Sequence, residues 1–218
     1  MKPFSVPEVE ALWVCGRILA QALRETAQAV RPGISTAKLN TIAESSLRRQ
    51  GATPSFLGYG EKKNPFPATL CTSVNSAVVH GIPNSAVVLS EGDIIGLDLG
   101  CWYQGVCTDA AITVPVGNIN KQAQKLIRVT EASLLEALKQ LRSGTRVGDI
   151  GAAVQEYVET NGFSVVRALT GHGVGHAVHE GPAIPNFGKA GTGVKFIAGQ
   201  VVAIEPMVNE GVSEVEFL

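Results

Sequence analysis

Along residues 8–30, apolar or small side chains recur at Val9, Leu12, Trp13, Gly16, Leu19, Ala20, Leu23, Ala27 and Val30. That i, i+3/i+4 spacing predicts an amphipathic helix, and Arg31-Pro32-Gly33 stops it. A second helix is expected from Ser35, its N-cap, with Leu39, Ile42, Ala43 and Leu47 on one face and Gly51 as its stop. The same layout returns later. Ala123, Ile127, Thr130, Leu134, Leu138 and Leu141 predict a helix over 121–141, and Arg142-Ser143-Gly144 breaks it. Ile150, Val154 and Val158 then carry another helix that ends at Gly162. A shift of 111 residues lays Gly33 on Gly144, Gly51 on Gly162, and Leu23, Ala27 and Val30 on Leu134, Leu138 and Leu141. Equal spacing through two helices and two breakers predicts an internal duplication, about 8–117 and 120–218, within one catalytic domain.

After each helix pair the pattern becomes strand-like. Asp93-Ile94-Ile95-Gly96-Leu97-Asp98-Leu99 runs toward Tyr103-Gln104-Gly105, and residues 106–116 continue as strand, so a hairpin is expected. In the second half, Gly199-Gln200-Val201-Val202-Ala203-Ile204-Glu205 has the form of Gly92-Asp93-Ile94-Ile95-Gly96-Leu97-Asp98. Each runs from glycine, through mostly apolar residues, to a carboxylate six positions on. The repeat thus delivers one acid per half at equivalent places.

Composition narrows the class. The 218 residues are 45% hydrophobic and 17% charged, which describes a folded globular chain. A formal net charge of -1 gives no electrostatic reason to expect direct nucleic-acid contact or an anionic membrane as partner. No apolar run reaches membrane-spanning length, and Met1-Lys2-Pro3-Phe4-Ser5-Val6-Pro7-Glu8 lacks the features of a signal peptide. Cys15, Cys71, Cys101 and Cys107 show no Cys-x-x-Cys spacing, so a reducing cytoplasm is expected. Trp13, Trp102, Tyr103 and the cysteines other than Cys71 read as packing.

The stretch Gly171-His172-Gly173-Val174-Gly175-His176-Ala177-Val178-His179-Glu180 concentrates candidate chemistry. His172 and His176 stand four apart, as on a zinc-protease helix, but each glycine would weaken that helix by roughly 1 kcal/mol relative to alanine. A loop or irregular strand is expected instead. If the first hairpin turns between Tyr103 and Gln104, Asp98 and Asp109 face each other directly. Opposed carboxylates need a cation between them, a shared proton or an exposed face. A slip of one residue at Gly105 would instead point them apart. With Glu205 and His172, the two aspartates form an oxygen-rich set with one nitrogen, suited to one or two divalent transition metals. Carboxylates can bridge two ions roughly 3.5–4 Å apart, as in two-metal hydrolases, and such ions make water nucleophilic near neutral pH. That donor set points to hydrolysis.

Asp98 within Gly96-Leu97-Asp98-Leu99-Gly100, Asp109 within Thr108-Asp109-Ala110, His172 within Gly171-His172-Gly173-Val174-Gly175, and Glu205 within Ile204-Glu205-Pro206-Met207 resemble the type I methionine aminopeptidases. His80-Gly81-Ile82-Pro83, and His179-Glu180-Gly181-Pro182 with Pro185-Asn186-Phe187, match the same family pattern. The resemblance covers nearly the whole chain. It implies an α+β pita-bread fold, with two pseudo-symmetric halves of antiparallel strands backed by helices. It also implies hydrolytic removal of initiator methionine from peptide and nascent-protein N-termini, with transient encounters at the ribosome. Asp98, Asp109, His172 and Glu205 would hold manganese, iron, cobalt or zinc, and Glu205 would also act as general base. His80 would contact substrate near the scissile bond, and His179 would hydrogen-bond the substrate carbonyl and developing oxyanion. Cys71 and Phe66 would line the methionine pocket, while the family gives His176 no role.

The family carries a fifth ligand, a glutamate on a later strand, whereas this sequence ends thirteen residues after Glu205. A shortened chain lacking that strand is the expectation. The alternative is a turn between Glu210 and Gly211 that sets Glu216 opposite Glu205. Two competing functions share the fold: a proline-specific aminopeptidase or dipeptidase, and a catalytically impaired peptide-binding module.

Overall fold

A computed structural model describes residues 4–216. Helix α1 (Val6–Ala29) starts at Ser5, whose N–H and hydroxyl both donate to Glu8 Oε2 at 2.6 and 2.7 Å. Pro7 occupies the first turn, where no backbone donor is needed. Helix α2 (Thr36–Arg49) is capped by Ser35, whose side chain accepts from the Lys38 N–H. Gly51 follows α2 at φ +80°, the left-handed conformation that ends helices at least cost in glycine.

Shifted by 111 residues, Thr36–Arg49 becomes Val147–Thr160, the extent of helix α4, and the end of α1 becomes the end of α3 (Lys121–Gln140). The buried positions follow the same shift. Thr36, Leu39, Ala43 and Leu47 of α2 correspond to Val147, Ile150, Val154 and Val158 of α4. Ile18, Ala22 and Thr26 of α1 correspond to Val129, Ser133 and Ala137 of α3.

The face that α1 buries is displaced by about one residue from the expected stripe. Ala11, Cys15, Ile18, Leu19, Ala22, Leu23 and Thr26 are inside, while Trp13 is 73% exposed and Val9 is also exposed. Apolar residues wrap most of this helix, so periodicity alone does not choose the face. The side with small residues lets the helix approach a sheet most closely. Trp13 is therefore not a packing residue, contrary to expectation. The other aromatic pair, Trp102 and Tyr103, is partly buried, and all four cysteines are buried free thiols.

The chain divides into two compact units, one formed by Ser5–Asn120 with Gly175–Val178, the other mainly by Lys121–Val174 and the residues from His179 on. In the first unit, β1 (Thr53–Pro54) is followed by a small hairpin of β2 (Gly60–Glu61) and β3 (Asn64–Pro65), then by β4 (Leu70–Val74), β5 (Ile94–Tyr103) and β6 (Val106–Pro115). β5 is central: it pairs antiparallel with β4 and β6, and with β1 near its end. Helix α1 packs against β5 and β6, and α2 against β4. In the second unit, β7 (Ser164–Val165) pairs with β11 (Val208–Asn209), and β8 (Thr170–Gly173) lies between β9 (Glu180–Pro185) and β10 (Val202–Ala203). Ile150, Val154 and Val158 of α4 form its core with Phe163, Ile184 and Phe196. Among the described residues, no helix is long and apolar enough to cross a membrane.

Candidate functional site

The expected hairpin is present, but its register differs from the expected one. The turn consists of Gln104 and Gly105, at φ +48° and +82°, so the two-residue loop lies between Tyr103 and Val106. Two central residues with positive φ are what the right-handed twist of a hairpin favours. Asp98 consequently faces Ala111, and Asp109 faces Gly100. The displacement is by two positions, not one, so both aspartates keep the same face as diagonal neighbours. The direct opposition expected from a turn at Tyr103–Gln104 is thereby avoided, and so is the alternative in which the acids point apart. On the other side of β5, Cys71 is Asp98's partner. Burial pushes the Cys71 thiol well above its usual range, and the charges of Asp98 and Asp109 push it further. Cys71 is therefore a buried neutral thiol, not a nucleophile.

His80 lies in the segment that returns over β4. Its φ is +58°, in the left-handed region that residues other than glycine seldom enter. The next residue, Gly81, presses against β4: its carbonyl accepts from the Thr72 N–H at 2.7 Å, and a Cβ there would run into the Thr72 carbonyl. His80 is thus exposed beside the strand that carries Cys71, in a conformation the neighbouring chain imposes. Phe66 is partly buried at the base of the β2–β3 hairpin, where its N–H donates to Tyr59 O and its carbonyl accepts from Gly58 N–H.

In the second unit, the glycine-rich stretch is an irregular strand, as expected. His172 sits on β8 opposite Ala203 of β10, and the register toward β9 breaks between Gly171 and Gly173. Such irregularities re-aim a side chain. A Cβ at Gly171 would meet the Ala203 carbonyl, so the glycine permits the close approach of β10. His172 Nδ1 is 2.8 Å from the Gly173 carbonyl oxygen. A carbonyl can only accept, so Nδ1 carries the proton and Nε2 of the neutral ring presents a lone pair. That Nε2 is 3.1 Å from Glu205 Oε1, a buried oxygen that no hydrogen-bond donor reaches among the described residues. Two acceptors in contact require a second proton on the ring or a cation. A divalent metal suits the pair, because metal-ligating histidines characteristically give their other N–H to a backbone carbonyl. His179 is exposed, with its ring centroid 4.2 Å from that of His172.

His176 belongs elsewhere: its Nε2 is 3.2 Å from Glu8 Oε1 at the start of α1. The four-residue spacing from His172 carries no chemistry. Neither unit by itself gathers three histidine, cysteine or carboxylate side chains as a metal cage among the described residues. The expected hairpin that would set Glu216 opposite Glu205 does not form. Val208–Asn209 pair with β7, Asn209 Nδ2 donates to Val212 O at 2.9 Å, and beyond them the chain runs irregularly with Glu216 exposed.

Residues 10–217 match the model of metallopeptidase family M24. The chain belongs to that family. Among M24 relatives, it is 48% identical over 212 residues to the methionine aminopeptidase of Clostridium perfringens, covering 97% of this chain and 83% of the relative. The crystal structure of methionine aminopeptidase from Thermotoga maritima superposes with a TM-score of 0.95 at 40% identity, covering 99% of this chain and 85% of that one. The prolidase of Pyrococcus furiosus shares the M24 architecture at a TM-score of 0.78, but at 19% identity this shows the fold alone. It covers 95% of this chain and 58% of that one. The fold is the expected α+β pita-bread one.

Proposed function

We propose that this M24 member hydrolyses the N-terminal methionine from peptides and nascent proteins, using one or two divalent transition metal ions. The observation that carries the metal reading is the His172–Glu205 acceptor pair, 3.1 Å apart, with Nδ1 tied to Gly173 O. The methionine specificity rests on the relatives, which are methionine aminopeptidases matched over most of their length. Asp98 and Asp109 on one face of their hairpin supply the remaining oxygen donors. Manganese, iron, cobalt and zinc all suit that donor set.

When bound, the metal supplies Lewis acidity, which polarises the scissile carbonyl and makes water available as a nucleophile at neutral pH. Glu205, half-exposed beside His172, receives a proton from the attacking water and returns it to the leaving amine. His80 contacts the substrate near the scissile bond, and its constrained backbone limits where the imidazole can go. His179 donates to the substrate carbonyl and to the negative charge that develops there. Cys71, neutral and buried, lines the pocket for the methionine side chain with Phe66. Substrates are N-termini presented in the cytoplasm, including those emerging transiently at the ribosome.

The test is methionine release from a Met-Ala-Ser peptide by protein supplied with cobalt, manganese or iron. Turnover is expected, with a fall of about 10²–10⁴ in His80→Ala. Preferential cleavage of an Xaa-Pro peptide would replace this reading with the proline-specific one. Absence of turnover with every metal, alongside peptide affinity unchanged by chelation, would make the chain a binding module.

A further inference from the structure

We propose that Asn186 is a positioning residue for Glu205, holding the main chain of that carboxylate where the strand ladder has stopped. The inference rests on the role proposed above for Glu205. β10 ends at Ala203, two residues before Glu205. By contrast, Asp98 lies within a ten-residue strand, with Cys71 and Ala111 as its ladder partners. Asn186, directly after β9, is fully buried, and its Nδ2 donates to the Glu205 carbonyl oxygen at 2.6 Å.

Two further observations argue that this bond serves Glu205 more than it serves the fold. The Asn186 Oδ1 is buried, and no hydrogen-bond donor reaches it among the described residues. A buried amide that leaves its oxygen unsatisfied is a burden on stability, and such groups call for an explanation. The main chain around Asn186 is also held from behind. Gly151 of α4 lies so close that a Cβ there would run into the carbonyls of Pro185 and Phe187. Asn186 therefore projects from a braced backbone, and its short side chain transmits that position to Glu205. A group that must point at a metal and at a reacting proton needs placement within about 0.5 Å.

The test uses the full chain with Asn186→Leu, similar in size without the donor, and Asn186→Ala, with Glu205→Gln as control. Three quantities are measured: Co²⁺ affinity of the metal-free protein by calorimetric titration, the visible spectrum of the cobalt complex, and kcat and KM on Met-Ala-Ser. In the Asn186 variants, Co²⁺ affinity and kcat are expected to fall about 10–100-fold. KM should stay within about twofold, and the cobalt spectrum should change. Affinity and kcat per folded molecule do not depend on how much protein folds, so either variant suffices. Parental values of both in a folded variant would overturn the inference, even if its Tm fell. If Glu205→Gln loses affinity while the Asn186 variants do not, this inference alone fails. If Glu205→Gln itself keeps parental affinity and turnover, the role of Glu205 fails with it.

Discussion

The two units share their helices and differ in their sheets. α2 and α4 have the same length, the same 111-residue separation and corresponding buried positions. The strands that follow them are unlike. β5 is ten residues long and carries Asp98 inside a continuous ladder, whereas β10 is two residues long and leaves Glu205 beyond its end. One acid sits within main-chain pairing on both sides, whereas the other is held by a side-chain amide and touches a histidine. Helix spacing therefore preserves the frame, while the strands differ, and the roles proposed for the two carboxylates differ with them. Asp98, fixed in its ladder, suits a pure ligand. Glu205, beyond the end of β10 and with a side chain one methylene longer, is the one proposed to move a proton as well.

The largest effect should come from removing one carboxylate charge in each unit. Glu205→Gln is expected to lower kcat for Met-Ala-Ser by about 10²–10⁴, the range for losing a general base. Asp98→Asn should also lose activity, but added cobalt should restore part of it, because a ligand can be compensated by mass action and a base cannot. Equal rescue of both variants would erase the distinction between the units.

An intermediate effect is expected on stability. Gly100 and Gly171 each adjoin a proposed ligand strand, and each would collide if given a Cβ. At Gly100 the obstacles are the Ser55 hydroxyl and Phe56 ring, which can shift; at Gly171 the obstacle is the Ala203 carbonyl, which cannot. Gly171→Ala should therefore cost more than Gly100→Ala, within about 1–3 kcal/mol for overpacking. Thermal unfolding of the two variants checks this, and a larger loss at Gly100 would contradict the view that a main-chain carbonyl yields less than the side chains around Gly100.

The smallest effect concerns Glu25 of α1. Hydrogen bonds from Gln21, Ser46 and Arg49, with the nearby Arg49 charge, hold its carboxyl down at about 2. A folded pKa below the unfolded one contributes stability above the unfolded pKa of about 4.3. That contribution is lost as pH falls through about 2. Glu25 is partly exposed and its partner Arg49 is exposed, so only a small loss is expected. Glu25→Gln should lower Tm slightly at pH 7 and not at pH 2, which melting curves at the two values check.

How legible this was depends on the kind of interaction. The helices were readable because breakers such as Gly33, Gly51, Gly144 and Gly162 all take positive φ at equivalent places. The buried face of α1 was not, because apolar residues occupy both sides and only packing decides between them. The hairpin was readable, yet its register was misplaced at Tyr103–Gln104. The residue pair Gln104-Gly105 was the available signal for a two-residue turn. Among the three histidines, His172 adjoins Glu205 while His176 pairs with Glu8, a difference that their four-residue spacing does not show. The positioning contact of Asn186 had no signal of its own. A side-chain bond to a distant carbonyl leaves no period or spacing in the chain.

The most direct test is a crystal structure of the cobalt-loaded protein, with anomalous data recorded on both sides of the cobalt absorption edge. The account predicts an anomalous peak at bonding distance from His172 Nε2 and Glu205, with Asp98 and Asp109 among the ligands. His172 Nδ1 should still donate to the Gly173 carbonyl. A His172 Nε2 that remains in contact with Glu205 and free of cobalt, with the anomalous peak elsewhere, would contradict it.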